Sequence, residues 1–297
     1  MIIKMFNGWY FFWVVLLTLI TVGLYFLLRN KSKAVQRAVL FSLLAIGFLL
    51  HFLKVYIPPY SVDEARMLRD AWFVNICAAN IALFPFFFFS KNEKIWDYMF
   101  YIGVISGLIA IFYPQEPMAK IDQLAEQLDI IRFYYHHWML LSVPLLSVLF
   151  KHHKLSYKRV FVAPTGLMLL MLFIMLNQIF QSELGFIPLR NDSDFYHINY
   201  KNTSYIWGPG ENDAIGEFLA IFCPKIFKTV PVGQFAGAEK YWPWFWILVP
   251  AYILVPILAF LVSLPFEAKH FVADCKALTE KVKTHFHSNN NKLAHHH

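Results

Sequence analysis

The stretch AWFVNICAANIALFPFFFF, Ala71 to Phe89, is apolar apart from two asparagines and Cys77. At ~1.5 Å rise per residue a run of this length crosses the ~30 Å hydrocarbon core of a bilayer. Read at ~100° per residue, Asp70, Cys77 and Asn80 share one stripe, and Asn75 falls nearly opposite. Polar side chains inside a bilayer face protein or water rather than lipid. The stretch therefore predicts a membrane helix that turns Cys77 towards its neighbours. A second run, IRFYYHHWMLLSVPLLSVLF from Ile131 to Phe150, carries His136 and His137.

The whole chain has the same character. Of 297 residues, 58% are hydrophobic, 19% aromatic and 15% charged, which excludes an ordinary soluble domain. The reading is an all-α, polytopic membrane protein with seven transmembrane helices: Trp9 to Leu28, Ala38 to Ile57, Ala71 to Phe89, Ile95 to Tyr113, Ile131 to Phe150, Val160 to Phe180 and Trp244 to Pro265. The connections after spans 1, 3 and 5 and the tail after span 7 hold Arg29, Lys31, Lys33, Arg37, Lys91, Lys94, Lys151, Lys154, Lys158, Arg159, Lys269, Lys276, Lys281 and Lys283. The opposite short segments hold only Lys4, Arg66, Arg69, Lys120 and Arg132. That asymmetry predicts an amino terminus outside and a cytoplasmic carboxyl terminus. It also accounts for the net charge of +7 as an orientation and lipid-headgroup signal, with no nucleic acid implied.

Residues 1–287 form a single membrane domain on this reading. A long outside loop at 181–243 includes an apolar stretch, Ala214 to Val230, suited to lying on the membrane surface, and a loop of this length suits a lid. A short cytoplasmic tail helix occupies 267–287. The ending, 288–297, reads as linker and tag residues, so His295, His296 and His297 are set aside from metal binding. Pro85, Pro144, Pro250 and Pro256 are expected to kink their spans. Cys77, Cys223 and Cys275 fall in three different compartments, so no structural disulfide is expected.

Spans 3 and 5 run in the same direction. Cys77 and His137 each lie six positions after the start of their span, ~9 Å below the outer boundary at ~1.5 Å per residue. Equal depth is what a contacting pair requires. A cysteine beside a histidine base is a nucleophile towards an ester. A cysteine in a membrane helix also serves as a small packing residue, and that use competes with the catalytic one. His136 and His137 point ~100° apart, so both cannot serve one site from the same helix face. Helix-borne metal ligands sit three or four positions apart, so no metal and no cofactor are expected. His51 and Lys54 suit a polar lining or a snorkelling position near the outer end, while His152 and His153 read as ordinary basic loop residues.

Four segments together resemble a known family: VNICAANIALFP; YIGVISGLIAIFYP with Gly103 and Pro114; RFYYHHWMLL; and the late pair HINY and YWPWFWILVP. In this order, from Ala71 to Pro265, they are similar to the YwaF family of bacterial integral membrane proteins. That family is related to the lipid acyltransferase transmembrane protein 164 and, more distantly, to the androgen-induced fatty-acid-ester hydrolases. The resemblance implies Cys77 as nucleophile and His137 as its partner, with His136 the alternative. The chain departs from the family where a histidine or acidic residue usually stands at Asn75, and a Pro-Leu pair at Phe73 and Val74.

The resulting expectation is a lipid acyltransferase or transacylase of a bacterial cytoplasmic membrane. A Cys/His pair near the outer leaflet would move a fatty acyl chain from a phospholipid through a thioester. Asn80, Asn75, Tyr134, Tyr135, Asn199 and Tyr200 are the substrate-binding candidates. Membrane phospholipids and lysolipids are the expected partners, with no evident protein partner. The alternative is a lipid or small-molecule binding protein or transporter without covalent chemistry.

Overall fold

A computed structural model describes residues 2–58, 60–62, 67, 72–73, 75–119, 124, 126–185, 204–209, 214–230 and 236–294. The described residues are helical, with one isolated antiparallel bridge between Thr229 and Glu239. The helices are α1 (Gly8–Leu28), α2 (Lys33–Leu53), α3 (Ile76–Phe87), α4 (Glu93–Phe112), α5 (Gln115–Ala119), α6 (Leu128–Leu149), α7 (Val162–Glu183), α8 (Ala214–Ile221) and α9 (Phe245–Ala294). Side-chain oxygens start four of them. Asn7 accepts from the Tyr10 N–H, Ser32 from Val35, Asn75 from Ala78 and Asn92 from Lys94.

Five stretches are long and apolar enough to cross a membrane: Gly8–Leu28, Lys33–Tyr56, Glu93–Met118, Tyr157–Glu183 and Phe245–Thr284. The other two expected spans differ from these. Helix α6 has 22 residues, a length that suffices to cross, but it carries Asp129, Arg132, His136 and His137 in its first half. Helix α3 has only 12 residues, because Asn75, in extended conformation, caps it five positions after the expected start of the span. The exterior is apolar, as lipid requires: Leu19, Phe26, Leu169, Leu176 and Leu261 are all exposed. A soluble protein would not display such a surface.

Helices α4 and α6 form the spine of the bundle and pack more closely than any other pair. Two glycines allow it. A Cβ on Gly103 would land on the Leu140 carbonyl oxygen, and one on Gly107 would lie 2.7 Å from Leu141 Cβ and 2.8 Å from the His137 carbonyl oxygen. Small residues at helix crossings let membrane helices approach backbone to backbone, where dispersion and weak polar contacts replace the missing hydrophobic drive. The pairs 103–140 and 107–137 also fix α4 and α6 as antiparallel.

Helix α2 joins this spine through side chains of α6. Tyr135 donates to the Leu43 carbonyl at 2.9 Å, and His136 Nε2 lies 3.1 Å from the Gly47 carbonyl. Helix α1 lies along the outside, with Trp13 stacked on Tyr134 and Thr21 bonded to Ser142 and Trp138.

The basic end of the bundle holds a buried ionic network. The fully buried Asp97 carboxylate faces His153 Nε2 at 2.7 Å and accepts from the Arg159 guanidinium, which reaches on to Glu93 at 2.8 Å. His153 is itself buried and stacked on Trp96, so the expectation of an ordinary loop histidine is corrected. A carboxylate in an apolar bundle must be paired, and the loop after α6 supplies both of these partners. Helix α9 runs unbroken for 50 residues through Pro250, Pro256 and Pro265, so span 7 and the expected tail helix are one element. Its Asp274 is held by Lys158 at 2.5 Å and by the Tyr157 hydroxyl, tying the extension to the same loop.

At the opposite end, the loop before α9 packs on α7 through a second core around Trp207 and Trp246. Trp207 Nε1 donates to Gln178 at 2.9 Å, and Trp244 Nε1 to the Met168 carbonyl at 2.8 Å. Within the apolar stretch expected on the surface, α8 exposes Phe218 and Ile221.

Replacing Gly107 with alanine is expected to cost about 1–3 kcal/mol, because backbone rather than a flexible tip stands in the way. Gly23, with open space around its Cα, is the control: Gly23→Ala should leave the melting temperature in detergent unchanged or slightly raised.

Candidate functional site

The first turn of α3 places Cys77. Asn75 is the N-cap, Ile76 the first helical residue and Cys77 the second. The Asn75 side chain accepts from the Ala78 N–H at 2.7 Å, and its carbonyl accepts from Ala79 at 3.0 Å. The N–H groups of Ile76 and Cys77 therefore precede the first internal bonds of the helix, at the end of the dipole that favours negative charge. This revises the position expected for Cys77, a turn and a half inside a span. It also gives Asn75 a role at the helix start rather than on a helix face. The preference of Asn for N-caps explains both changes.

One turn on, Asn80 is fully buried and accepts from the Tyr98 hydroxyl at 2.9 Å. Its Nδ2 has no hydrogen-bond partner among the described residues. Tyr98 comes from α4 and lies close enough to Cys77 for the two groups to interact electrostatically. Cys77, Asn80 and Tyr98 thus gather on one side of α3. Cys77 is a free thiol, half-buried, packed against the core that also contains Phe133, Tyr134 and Ile81.

The two histidines of α6 are used differently. The geometry at His137 fits an Nδ1–H donating to the Phe133 carbonyl at 2.8 Å, which leaves Nε2 with a lone pair. That Nε2 makes no hydrogen bond within the described residues. His136 is engaged at both nitrogens: Nε2 at 3.1 Å from the Gly47 carbonyl and Nδ1 at 3.4 Å from Arg132 Nη1. Arg132 is anchored in turn by Asp129 at 2.6 Å and the Tyr60 hydroxyl at 3.0 Å. His51 and Lys54, both buried, lie within electrostatic reach of His136.

Helix lengths compare the depths of Cys77 and His137. Cys77 lies ten residues, ~15 Å, before the end of α3, while Gly107, which touches the His137 carbonyl, lies 14 residues, ~21 Å, into the antiparallel α4. The difference is about one helical turn. The Glu116 charge reaches both groups electrostatically, which places them at the same end of the bundle. No hydrogen bond joins them.

The other candidates divide. Tyr135 is spent on α2, and Tyr134 stacks on Trp13, its buried hydroxyl without a hydrogen-bond partner among the described residues. Asn199 and Tyr200 lie outside the described residues. Sequence reasoning missed Tyr98, which its place in an apolar run gave no reason to single out. It also missed Asn177, whose Nδ2 donates to the Phe73 carbonyl at 3.4 Å and ties α7 to the segment entering the cysteine helix.

Apolar helices of membrane-crossing length, a lipid-like exterior and buried polar groups held inside define a multi-pass integral membrane protein. The chain belongs to the TMEM164 family, which matches residues 5–262 and so takes in Cys77, both histidines and the Asp97 network. No curated protein and no solved structure matches it significantly.

Because Tyr98 and Asn80 satisfy each other in an apolar setting, removing one partner is expected to cost more than removing both. Tyr98→Phe alone should lose about 1–3 kcal/mol of stability, and the Tyr98→Phe, Asn80→Leu double variant should recover part of that loss in a double-mutant cycle read by thermal unfolding.

Proposed function

We propose that this chain is a membrane lipid acyltransferase in which Cys77 is the nucleophile and His137 the base. Membership of the TMEM164 family is compatible with work on membrane lipids. The observation that carries the reading is the Nδ1 bond of His137 to the Phe133 carbonyl, which leaves the Nε2 lone pair without a partner among the described residues. His136 has no nitrogen to spare, which supports His137 over its neighbour.

The chemistry proceeds in two balanced halves. His137 Nε2 takes the Cys77 proton as the sulfur bonds to the ester carbonyl carbon of a phospholipid. The carbonyl oxygen becomes an oxyanion, which the N–H groups of Ile76 and Cys77 and the Asn80 amide are suited to receive. The carbon–oxygen bond to glycerol breaks, and that oxygen takes the proton from His137. In the second half a lysolipid hydroxyl, a lipid amine or water gives its proton to His137 and attacks the thioester, and the sulfur leaves and is reprotonated. Catalytic hydrogen bonds often tighten only when substrate is bound, which accommodates the missing Cys77–His137 bond. In orientation we propose the site towards the outside, with the basic end cytoplasmic, from the distribution of Lys and Arg.

A second reading, lipid binding or transport without covalent chemistry, draws on that same missing bond. Intact-protein mass spectrometry after incubation with defined phospholipids separates the two. A hydroxylamine-sensitive gain of one fatty acyl mass is expected for the native chain and is absent from Cys77→Ala. His137→Gln is expected to lower the rate of acyl transfer by about 10²–10⁴. His136→Gln should chiefly lower the melting temperature. Full transfer activity in a folded Cys77→Ala protein would overturn the mechanism.

A further inference from the structure

A cleft of about 760 Å³ lies between α3, α4 and α7, with Tyr98 among the residues that line it. Its walls are apolar, with Leu83 and Phe87 from α3, Ile95 from α4, and Leu169 and Phe173 from α7. Gly166 forms part of the floor, because any Cβ there would collide with the Tyr98 ring. From Phe161 to Phe173 the trough follows twelve residues of α7, ~18 Å at ~1.5 Å per residue. It opens sideways among exposed apolar side chains such as Leu169.

One end of the trough is ionic, with Lys94, Lys158 and Arg159. Arg159 is committed to Asp97 and Glu93. Lys158 pairs with Asp274, but both side chains remain largely exposed, at 63% and 45%. Lys94 is exposed and makes no ion pair among the described residues. Its backbone N–H is bonded to the Asn92 cap, so its ammonium serves no purpose in starting α4. An unneutralised ammonium at the mouth of an apolar trough matches an amphiphile with a phosphate head and a fatty acyl tail. Basic pockets between membrane helices at the Lys/Arg-rich side select anionic lipids.

We propose that this trough seats an anionic glycerophospholipid, its phosphate at Lys94 and Lys158 and one acyl chain along Leu169 towards Phe173. The seat is separate from the acyl-transfer reading: Cys77, His136 and His137 do not line it. Tyr98 links it to that site, lining the trough and holding Asn80 with its hydroxyl.

The test uses the full chain carrying Cys77→Ala, which cannot form a thioester, so its outcome is independent of the proposed chemistry. The protein in detergent is mixed with equal amounts of phosphatidylglycerol and phosphatidylcholine bearing the same chains and examined by native mass spectrometry. Preferential retention of phosphatidylglycerol is expected. Lys94→Gln and Lys158→Gln should each weaken it about fivefold, the factor for ~1 kcal/mol per basic residue near a membrane surface. Leu169→Trp fills the trough from a lipid-exposed position and should abolish retention while the thermal transition persists. Equal retention of the two lipids, or retention indifferent to all three substitutions, overturns the proposal. Loss with the lysine variants but not with Leu169→Trp would put the lipid on the basic surface alone and overturn the trough.

Discussion

The close backbone approach of α4 and α6 at Gly103 and Gly107 is the constraint on which the other placements depend. In lipid, apolar side chains gain nothing by leaving one hydrocarbon for another, so a membrane bundle relies on close approach and on polar contacts. The two glycines supply the first at the Leu140 and His137 carbonyls. With α6 held this near, its polar face is distributed among neighbours: Tyr135 and His136 to α2, Tyr134 and Trp138 to α1, and His137 to the Phe133 carbonyl of its own helix. Adjacent histidines on one helix thereby take different environments. One has both nitrogens bonded, and among the described residues the other is bonded through Nδ1 alone.

The two ends of the bundle answer the cost of buried charge differently. At the basic end Asp97 is matched by Arg159 and His153, and the loop that brings them is clamped to α9 by Asp274. The buried Asp97 is partnered, which is the requirement for an ion inside an apolar bundle. At the other end Arg132 is tied to Asp129, while among the described residues Asn80 Nδ2 has no hydrogen-bond partner and His137 is bonded through Nδ1. Structural charge is neutralised. Of these groups, Asn80 lies about one turn along α3 from the half-buried thiol of Cys77.

The helical class was legible because apolar runs of membrane length leave few alternatives once backbone groups must be satisfied internally. The start of α3 was not, because hydropathy reads Ala71 to Ile76 as continuous with the run from Cys77 to Phe89. The N-cap at Asn75 is a local backbone choice within an apolar run. The expected equal depth of Cys77 and His137 rested on two helices starting together, and the start of α3 at Ile76, one residue before Cys77, against that of α6 at Leu128, nine before His137, removes that basis. His153 could have been found: an aspartate four residues into a membrane helix needs a cation, and the basic loop after α6 is what returns to that side. Tyr98 could not, since only the packed structure shows that a tyrosine in an apolar run reaches Asn80.

Tyr98 also shows how lipid contact and the cysteine helix can be linked without a moving part. Its ring lies on Gly166 with no space for an added methyl, so α7 fixes where the ring sits. Its hydroxyl then fixes the rotamer of Asn80 by holding Oδ1, and the amide nitrogen must point away from that bond. Whatever fills the space beside Leu83 and Leu169 lies against the same tyrosine. Packed interiors respond to such pressure by shifting rather than by compressing, so a tail lodged in the trough and the aim of the Asn80 amide are coupled through one rigid aromatic plane.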